Sequence, residues 1–411
     1  MSPLEHWIGT TRRTWNTHRT AILRVSIALL GCYATLKLST EFWRLLFDPS
    51  PAGAIDLQIL NRQTRAWFDG HLVYAGSTLA PHPPATFAIL YPFLGWLEFS
   101  EARWVWAATT VVMLGTLTIL LVRASGATTR LERGLVALML LSMNATGVTI
   151  GNGQVILHIL PVLLTGVLMI RAAPSARRHW LGSSLLVLAL VKPSVTAPFL
   201  WPALFGASRV RLAPMLTIGA GYLGLTLLAA SYQPVGLMEV LSTLGTRGAD
   251  FTGDWSYANV TALLTDLGLI RWSLPTSALV FASLGVWVRF NRRADPWILL
   301  GVCALVVRLG IYHLGYDDVL LIVPMLALFR VAKSDSDEGR SLLAGALLAI
   351  NIGSMLFLAS WQFARPPLQW LFVWGHPLVW IVDLIALIRL ARYHHDSAES
   401  ADHPAPAGRI G

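Results

Sequence analysis

Residues 54–76 read AIDLQILNRQTRAWFDGHLVYAG. This is the first long polar interval in an otherwise apolar chain, and it places one carboxylate, Asp56, at the start of a short amphipathic helix. An apolar run beginning near Thr20 ends just before it, and its length of about 27 residues suffices to cross a bilayer. An acid at the foot of a span is costly unless it does something, so the rest of the chain is read outward from Asp56.

The composition fixes the class. Hydrophobic residues make up 55% of the 411 residues and charged residues only 13%, against about 25% charged in a soluble domain. The mean hydropathy is +0.59. The chain is expected to be an integral membrane protein of many spans in one domain, residues 1–395, followed by a disordered cytoplasmic tail, 396–411. The first apolar run is read as a span that stays, not as a cleaved signal. Seventeen tryptophans suit anchoring at the lipid interface. Cys32 and Cys303 both lie in apolar runs, and no disulfide framework or metal motif is present, so no metal and no cofactor are expected.

Charge placement sets the topology. Apolar runs fall at 20–47, 84–98, 101–122, 131–148, 153–170, 180–191, 194–206, 212–231, 272–289, 296–309, 316–331, 340–361 and 367–391. Of the 31 Lys and Arg residues, 20 lie in 1–19, 123–133, 171–179, 208–211, 289–293, 330–340 and 389–411. These segments are assigned to the cytoplasm, with both termini inside. The net charge of +9 is then an orientation signal with some attraction to anionic lipid, and nucleic acid is not an expected partner. The external loops become 48–83, 149–152, 232–271, 310–315 and 362–366, which gives about twelve spans in an all-α polytopic protein. Run 84–98 is too short for a span and is read as a re-entrant or juxtamembrane helix. Runs 180–191 and 194–206, broken at Lys192-Pro193, are read as a hairpin of shortened helices whose tip reaches an outer cavity.

On this topology the unusual polar residues gather outside. The first external loop carries Asp56, Asn61, Arg62, Arg65, Asp69, Tyr74 and the His82-Pro83-Pro84 turn. Further along come Gly151-Asn152-Gly153-Gln154, Lys192, then Trp255, Tyr257 and Asn259, and finally Arg308, His313, Tyr316, Asp317 and Asp318. Each also has an ordinary structural reading. Asp56 and Asn259 suit helix caps, Arg62, Arg65, Lys192 and Arg308 suit side chains reaching the interface, His313 suits a loop, and Gly151–Gln154 suits a tight turn. The functional case rests on the set.

The order of these pieces is similar to glycosyltransferase family 87, the polyprenol-phosphate-mannose-dependent mannosyltransferases. DLQILNRQTRAWFDGHLVY resembles the family's first external loop, and HPPATFAILYPF its Tyr-Pro-Pro-Leu segment. GNGQVILHIL, LVKPSVT, WSYANVTALL and YDDVLLIVP resemble its Gly-Gln, Lys-Pro, Asn-Gln-Ser and Trp-Asp-His segments. Together they span about residues 50–330. The chain departs from the pattern at Tyr316, for tryptophan, and at Asp318, where histidine is common, with His313 nearby as a substitute.

The resemblance implies a C-type glycosyltransferase fold with juxtamembrane helices in the first external loop. It implies an inverting enzyme of the cell envelope that moves a sugar, mannose in that family, from a polyprenyl-phosphate donor to a glycolipid or glycan acceptor on the outer face of the cytoplasmic membrane. It places the catalytic base at Asp56. A base is needed to take the acceptor hydroxyl proton, and fixed cations should meet the leaving phosphate. Lys192, Arg308 and His313 are the expected phosphate-binding residues. Arg62, Tyr74, Gln154, Trp255, Tyr257, Asn259, Tyr316 and Asp317 are the expected sugar- and acceptor-binding residues. The alternatives are a lipid-linked-sugar transporter or flippase, and a C-type transferase or ligase that uses another sugar.

Overall fold

The long apolar runs fold as helices, and no β-strand occurs among the described residues. The computed structural model describes residues 3–76, 82–172, 175–206, 211–255, 259–311, 314–334, 337–356, 365 and 374–402. Four stretches are long and apolar enough to cross a membrane: Arg12–Phe47, Phe99–Ala124, Leu212–Ala230 and Ile270–Phe290. The helices Arg130–Leu141 and Asn144–Asn152 meet at a 48° bend and together would make a fifth. About twelve spans were expected. The other apolar runs form shorter helices, and one pair is divided at Lys192-Pro193.

Hydrogen bonds and ion pairs sort the helix termini into two ends of one bundle. Helix α1 (Pro3–Phe47) runs toward the first end of interest, where α2 (Ile55–Phe68), the short α3 (Val73–Gly76) and α4 (Pro84–Leu94) lie. Helix α5 (Phe99–Ala124) starts beside the end of α1, where Arg103 donates to the carbonyls of Arg44 (3.0 Å), Leu45 and Asp48 (2.7 Å). These bonds satisfy carbonyls that a helix terminus leaves open. Helix α6 (Arg130–Leu141) begins at the opposite end, capped by Thr129 and Glu132 in a reciprocal box. Glu132 also draws in Arg19 (2.6 Å) and Lys333, and Arg330 pairs with Asp295 (2.8 Å). Ser175, Asp295 and Asp337 cap α9 (Ala176–Ala189), α16 (Pro296–Gly310) and α18 (Glu338–Ser354). The basic loops of the sequence therefore meet at one end, braced by caps and ion pairs.

The Lys192-Pro193 break produces the expected hairpin. Helix α9 climbs along α8 (Ile156–Ala172), and residues 193–204 return as α10 (Pro193–Thr196), a 3₁₀ turn (Ala197–Phe199) and α11 (Leu200–Leu204). Their return to the basic end is fixed by Arg171, which donates to the Pro202 carbonyl at 2.8 Å. Helices α8 and α16 are buried around most of their circumference, as helices without a polar face must be. By contrast α1, α12 (Leu212–Ala230) and α15 (Ser273–Phe290) turn large apolar side chains outward, Leu274 being 80% and Phe290 72% exposed. Faces of that kind suit lipid.

The polar first loop folds as expected from its pattern. In α2, Leu57, Leu60, Asn61, Thr64 and Trp67 form one buried stripe, the spacing of an amphipathic helix. Trp67 stacks on Phe87 of α4 at 4.6 Å and donates to the Ala229 carbonyl of α12 at 2.8 Å. Asn61 holds the other end of α4 through the Leu94 carbonyl (2.9 Å). Helix α4 has 11 residues and rises only about 16 Å, roughly half of a hydrocarbon core. It packs between α2 and α12. The remaining helices are α7 (Asn144–Asn152), α13 (Leu237–Trp255), α14 (Val260–Asp266), α17 (Ile322–Ser334) and α19 (His376–Asp402). Helix α19 carries the chain through the start of the segment read as a tail.

Close backbone packing fixes the α8–α9 hairpin arm. A Cβ on Gly182 would lie 2.7 Å from Ile170 and 3.0 Å from the Gly166 carbonyl. Gly182→Val should therefore lower the thermal unfolding midpoint of the detergent-solubilised protein, at a cost of about 1–3 kcal/mol for overpacking. Gly115→Val, at a position with open space around it, serves as the control and should change little.

Candidate active site

The turn between α7 and α8 builds the site. Helix α7 ends at Gly153, whose φ of +72° returns two amide N–H groups to the Thr149 and Ile150 carbonyls. This left-handed position suits glycine for two reasons: the backbone requires it, and a Cβ there would sit 2.5 Å from Leu57. Gly153 thus lets α2 lie directly on the turn. Ala54 precedes α2 with φ 52°, a left-handed conformation that costs a non-glycine residue energy. Its N–H bonds the Gly151 carbonyl at 3.1 Å. The first turn of α2 is docked onto residues 151–153, and Asp56 is the side chain delivered there.

Asp56 is half-buried and lies beside the side-chain amides of Gln154 and Asn152, both of which favour its charged form. Its Oδ2 is shielded from solvent and has no partner among the described residues. Burial raises its pKa above the ordinary carboxylate value; the two amides and the charge of Lys192 oppose the rise, and Asp317 adds to it. The carboxylate therefore has a lone pair available and a raised proton affinity.

Lys192 caps the hairpin tip facing this carboxylate. Its Nζ donates to both oxygens of Asp317, at 2.6 and 2.8 Å, and lies 4.9 Å from the centre of the Tyr316 ring. An ammonium has three donors, so one remains for another acceptor. Asp317 belongs to a 3₁₀ turn (Gly315–Leu321), which Thr149 of α7 holds through the Tyr316 carbonyl at 2.9 Å. Thr86 fastens the tip to α4 by donating to the Val191 carbonyl at 2.7 Å. Behind the 3₁₀ turn, Arg308 is fully buried, ion-paired with Asp318 and stacked 4.4 Å from the centre of the Trp380 ring.

Asp56, Gln154, Lys192, Tyr316 and Asp317 thus come together from four segments of chain. Two further contributors have no expected role assigned to them, His82, named only within its turn, and a charged string on α1. His82 is close enough to Lys192 and Asp317 to feel both charges, and burial pushes its pKa down to about 4, so it is neutral at pH 7. The visible signal was a histidine immediately before Pro83-Pro84. The second is a string from α1: Lys37 pairs with Glu41 (2.8 Å), Glu41 with Arg44 (2.9 Å), and Arg44 donates to Asn152 Oδ1 (2.7 Å). Its signal was three charges at 37, 41 and 44, one helical stripe inside an apolar run.

Other expected residues lie elsewhere. Arg62 is exposed on α2. Arg65 pairs with Glu98 at 2.9 Å. Tyr74 is buried against Trp67 and its hydroxyl donates to the His82 carbonyl, which holds the histidine turn. Asn259 caps α14, accepting from the Ala262 N–H at 2.9 Å. Trp255 ends α13, where only the backbone is described, and Tyr257 and His313 lie outside the described residues. No group of three or more metal-ligating side chains occurs among the described residues.

The Lys192–Asp317 pair yields a thermodynamic test. Lys192→Met leaves Asp317, 1% exposed, as a buried carboxylate without its cation, at a cost of about 3–5 kcal/mol. The double variant Lys192→Met/Asp317→Leu should recover most of the lost unfolding temperature. Equal melting of the single and double variants would contradict the pairing.

An acid with an unpartnered oxygen, beside a cation with a remaining donor, at one end of a helical bundle is suited to group transfer onto a hydroxyl. No curated protein and no solved structure matches the chain. The model of glycosyltransferase family 87 matches residues 80–311, which includes the His82 turn, residues 151–154, Lys192 and Arg308. That match covers more than half of the chain, and the protein belongs to glycosyltransferase family 87.

Proposed function

We propose that this glycosyltransferase moves a sugar, mannose in the first instance, from a polyprenyl-phosphate donor to a glycolipid or glycan acceptor at the outer face of the cytoplasmic membrane. The observation that carries the reading is the Asp56 carboxylate, oriented by Asn152 and Gln154, with one oxygen unpartnered beside Lys192. The basic end of the bundle faces the cytoplasm, as the excess of Lys and Arg requires. The site then opens on the other side, and the helices that cross include the shortened and broken ones, to about twelve passes.

In this mechanism Asp56 takes the proton of the acceptor hydroxyl as its oxygen attacks the anomeric carbon. The bond from that carbon to the phosphate oxygen breaks as the new glycosidic bond forms, and the polyprenyl phosphate leaves with the electron pair. Lys192 uses its remaining donor on the phosphate, where negative charge grows. Asp317 fixes the direction of that donor, and neutral His82 adds a hydrogen-bonding group without adding charge. Attack and departure on opposite faces invert the anomeric centre with one base and no covalent intermediate. Arg308, enclosed by Asp318 and Trp380, supports the 3₁₀ turn from behind.

The test uses purified protein in nanodiscs with radiolabelled polyprenyl-phosphate-mannose and a crude acceptor lipid extract. Asp56→Asn should lower kcat by about 10²–10⁴-fold while donor binding persists. Transfer that survives in Asp56→Asn would reduce Asp56 to a helix-start residue. The base works deprotonated and its pKa is raised. Wild-type kcat/KM should therefore fall with falling pH through a value above the ordinary carboxylate pKa of about 3.9. An acid limb at or below that value would contradict the buried environment of the base.

A further inference from the structure

The charged string on α1 ends at the acid. Lys37, Glu41 and Arg44 lie on one face of α1 against α7, and glycines make the contact possible. A Cβ on Gly147 would fall 2.6 Å from Lys37 Cε, and one on Gly151 would fall 2.0 Å from Glu41 Oε2 and 2.3 Å from Arg44 Nε. The two glycines, one turn apart, open a groove in which the three side chains run to the outer end of α1. There Arg44 Nη2 bonds Asn152 Oδ1 at 2.7 Å. Arg44 is itself fixed by Glu41, which Lys37 holds from its other oxygen, and its backbone carbonyl is held by Arg103.

The consequence follows from the chemistry of a carboxamide. It has one acceptor oxygen and one donor NH₂ group. With its oxygen committed to a guanidinium, Asn152 can turn only its NH₂ toward Asp56. Without Arg44 the amide is free to flip and present its oxygen to the carboxylate, which would favour the protonated acid.

We propose that Arg44 is a positioning residue for Asp56, acting through the orientation of Asn152, and that Glu41 and Lys37 serve to hold Arg44 in place. The proposal rests on the reading of Asp56 as the base, but its geometry is independent of which sugar is moved. It gives a role to residues 37, 41 and 44, which lie outside the matched segment 80–311. The other charges bearing on Asp56 are Lys192 and Asp317, and both are left intact in the variants below.

The experiment reads the protonation of Asp56 without needing turnover. Full-length protein in nanodiscs is exposed to dicyclohexylcarbodiimide, which reacts with protonated carboxyl groups, across a pH series. Peptide mass spectrometry then gives the pH of half-labelling at Asp56. Arg44→Met and Asn152→Leu should each raise that pH by about one unit, the size of one lost hydrogen bond to a charged group. The double variant should show no further rise, because the two residues act in series. Arg44→Met leaves Glu41 paired with Lys37, and Arg44→Met/Glu41→Gln, which removes that carboxylate as well, should show the same rise as Arg44→Met. A half-labelling pH unchanged by Arg44→Met and by Arg44→Met/Glu41→Gln would overturn the proposal, as would shifts that add in the double variant. Where the wild type turns over sugar, Arg44→Met should lower kcat with KM little changed. If the wild type labels as expected but transfers no sugar, the positioning role stands and the reading of Asp56 as a base fails.

Discussion

The site depends on one contact, the seating of the first turn of α2 on the turn that ends α7. Gly153 permits it by lacking the Cβ that would strike Leu57, and the bond from Ala54 N–H to the Gly151 carbonyl fixes its register. From that contact the rest follows. Asp56 meets Asn152 and Gln154, Asn152 meets Arg44 on α1, and Thr149 of the same helix holds the 3₁₀ turn that carries Asp317. A helix of nine residues therefore ties together the acid, the span before it and the partner of Lys192. The left-handed Ala54 is a local cost of about 1–3 kcal/mol, placed where the chain turns to bring Asp56 onto residues 151–153.

Buried charge is expensive unless paired, and four buried carboxylates respect that rule while Asp56 and Asp383 rest on amides instead. Glu41, Glu132, Asp317 and Asp318 are all buried and all in ion pairs. Asp56 has amide partners and nearby charges, and one bare oxygen. An unsatisfied carboxylate oxygen costs stability; Asp383 shares this feature, and what sets Asp56 apart is its place beside Lys192 and Asp317. The basic end of the bundle shows the opposite pattern, with one capping box, single caps and ion pairs that brace helix ends.

Local features of the fold were legible in the sequence, and long-range pairings were not. The break at Lys192-Pro193 was readable because proline lacks an N–H and drives the residue before it away from helical angles. The amphipathic stripe of α2 and the polar turn at 151–154 were readable for similarly local reasons. Lys192 and Asp317 were both singled out, but their pairing spans 125 positions, and no local pattern encodes it. Glu41 and Arg44 were hidden inside an apolar run, and their target, Asn152, lies over a hundred residues away. Asn259 is the opposite case, a polar residue that suggested a site and proves to cap a helix. Four stretches are long and apolar enough to cross a membrane and one bent pair would make a fifth, and run length alone does not reveal which of the shorter apolar helices also cross.

In the proposed reaction a single carboxylate, Asp56, acts as a base in a direct displacement. Its most direct test is the anomeric configuration of the product, determined by NMR after transfer from a donor of known configuration. Inversion is the predicted result, since a base at Asp56 would activate the acceptor on the face opposite the departing phosphate. Retention would contradict it, because a retained centre excludes a single displacement from the face opposite the phosphate.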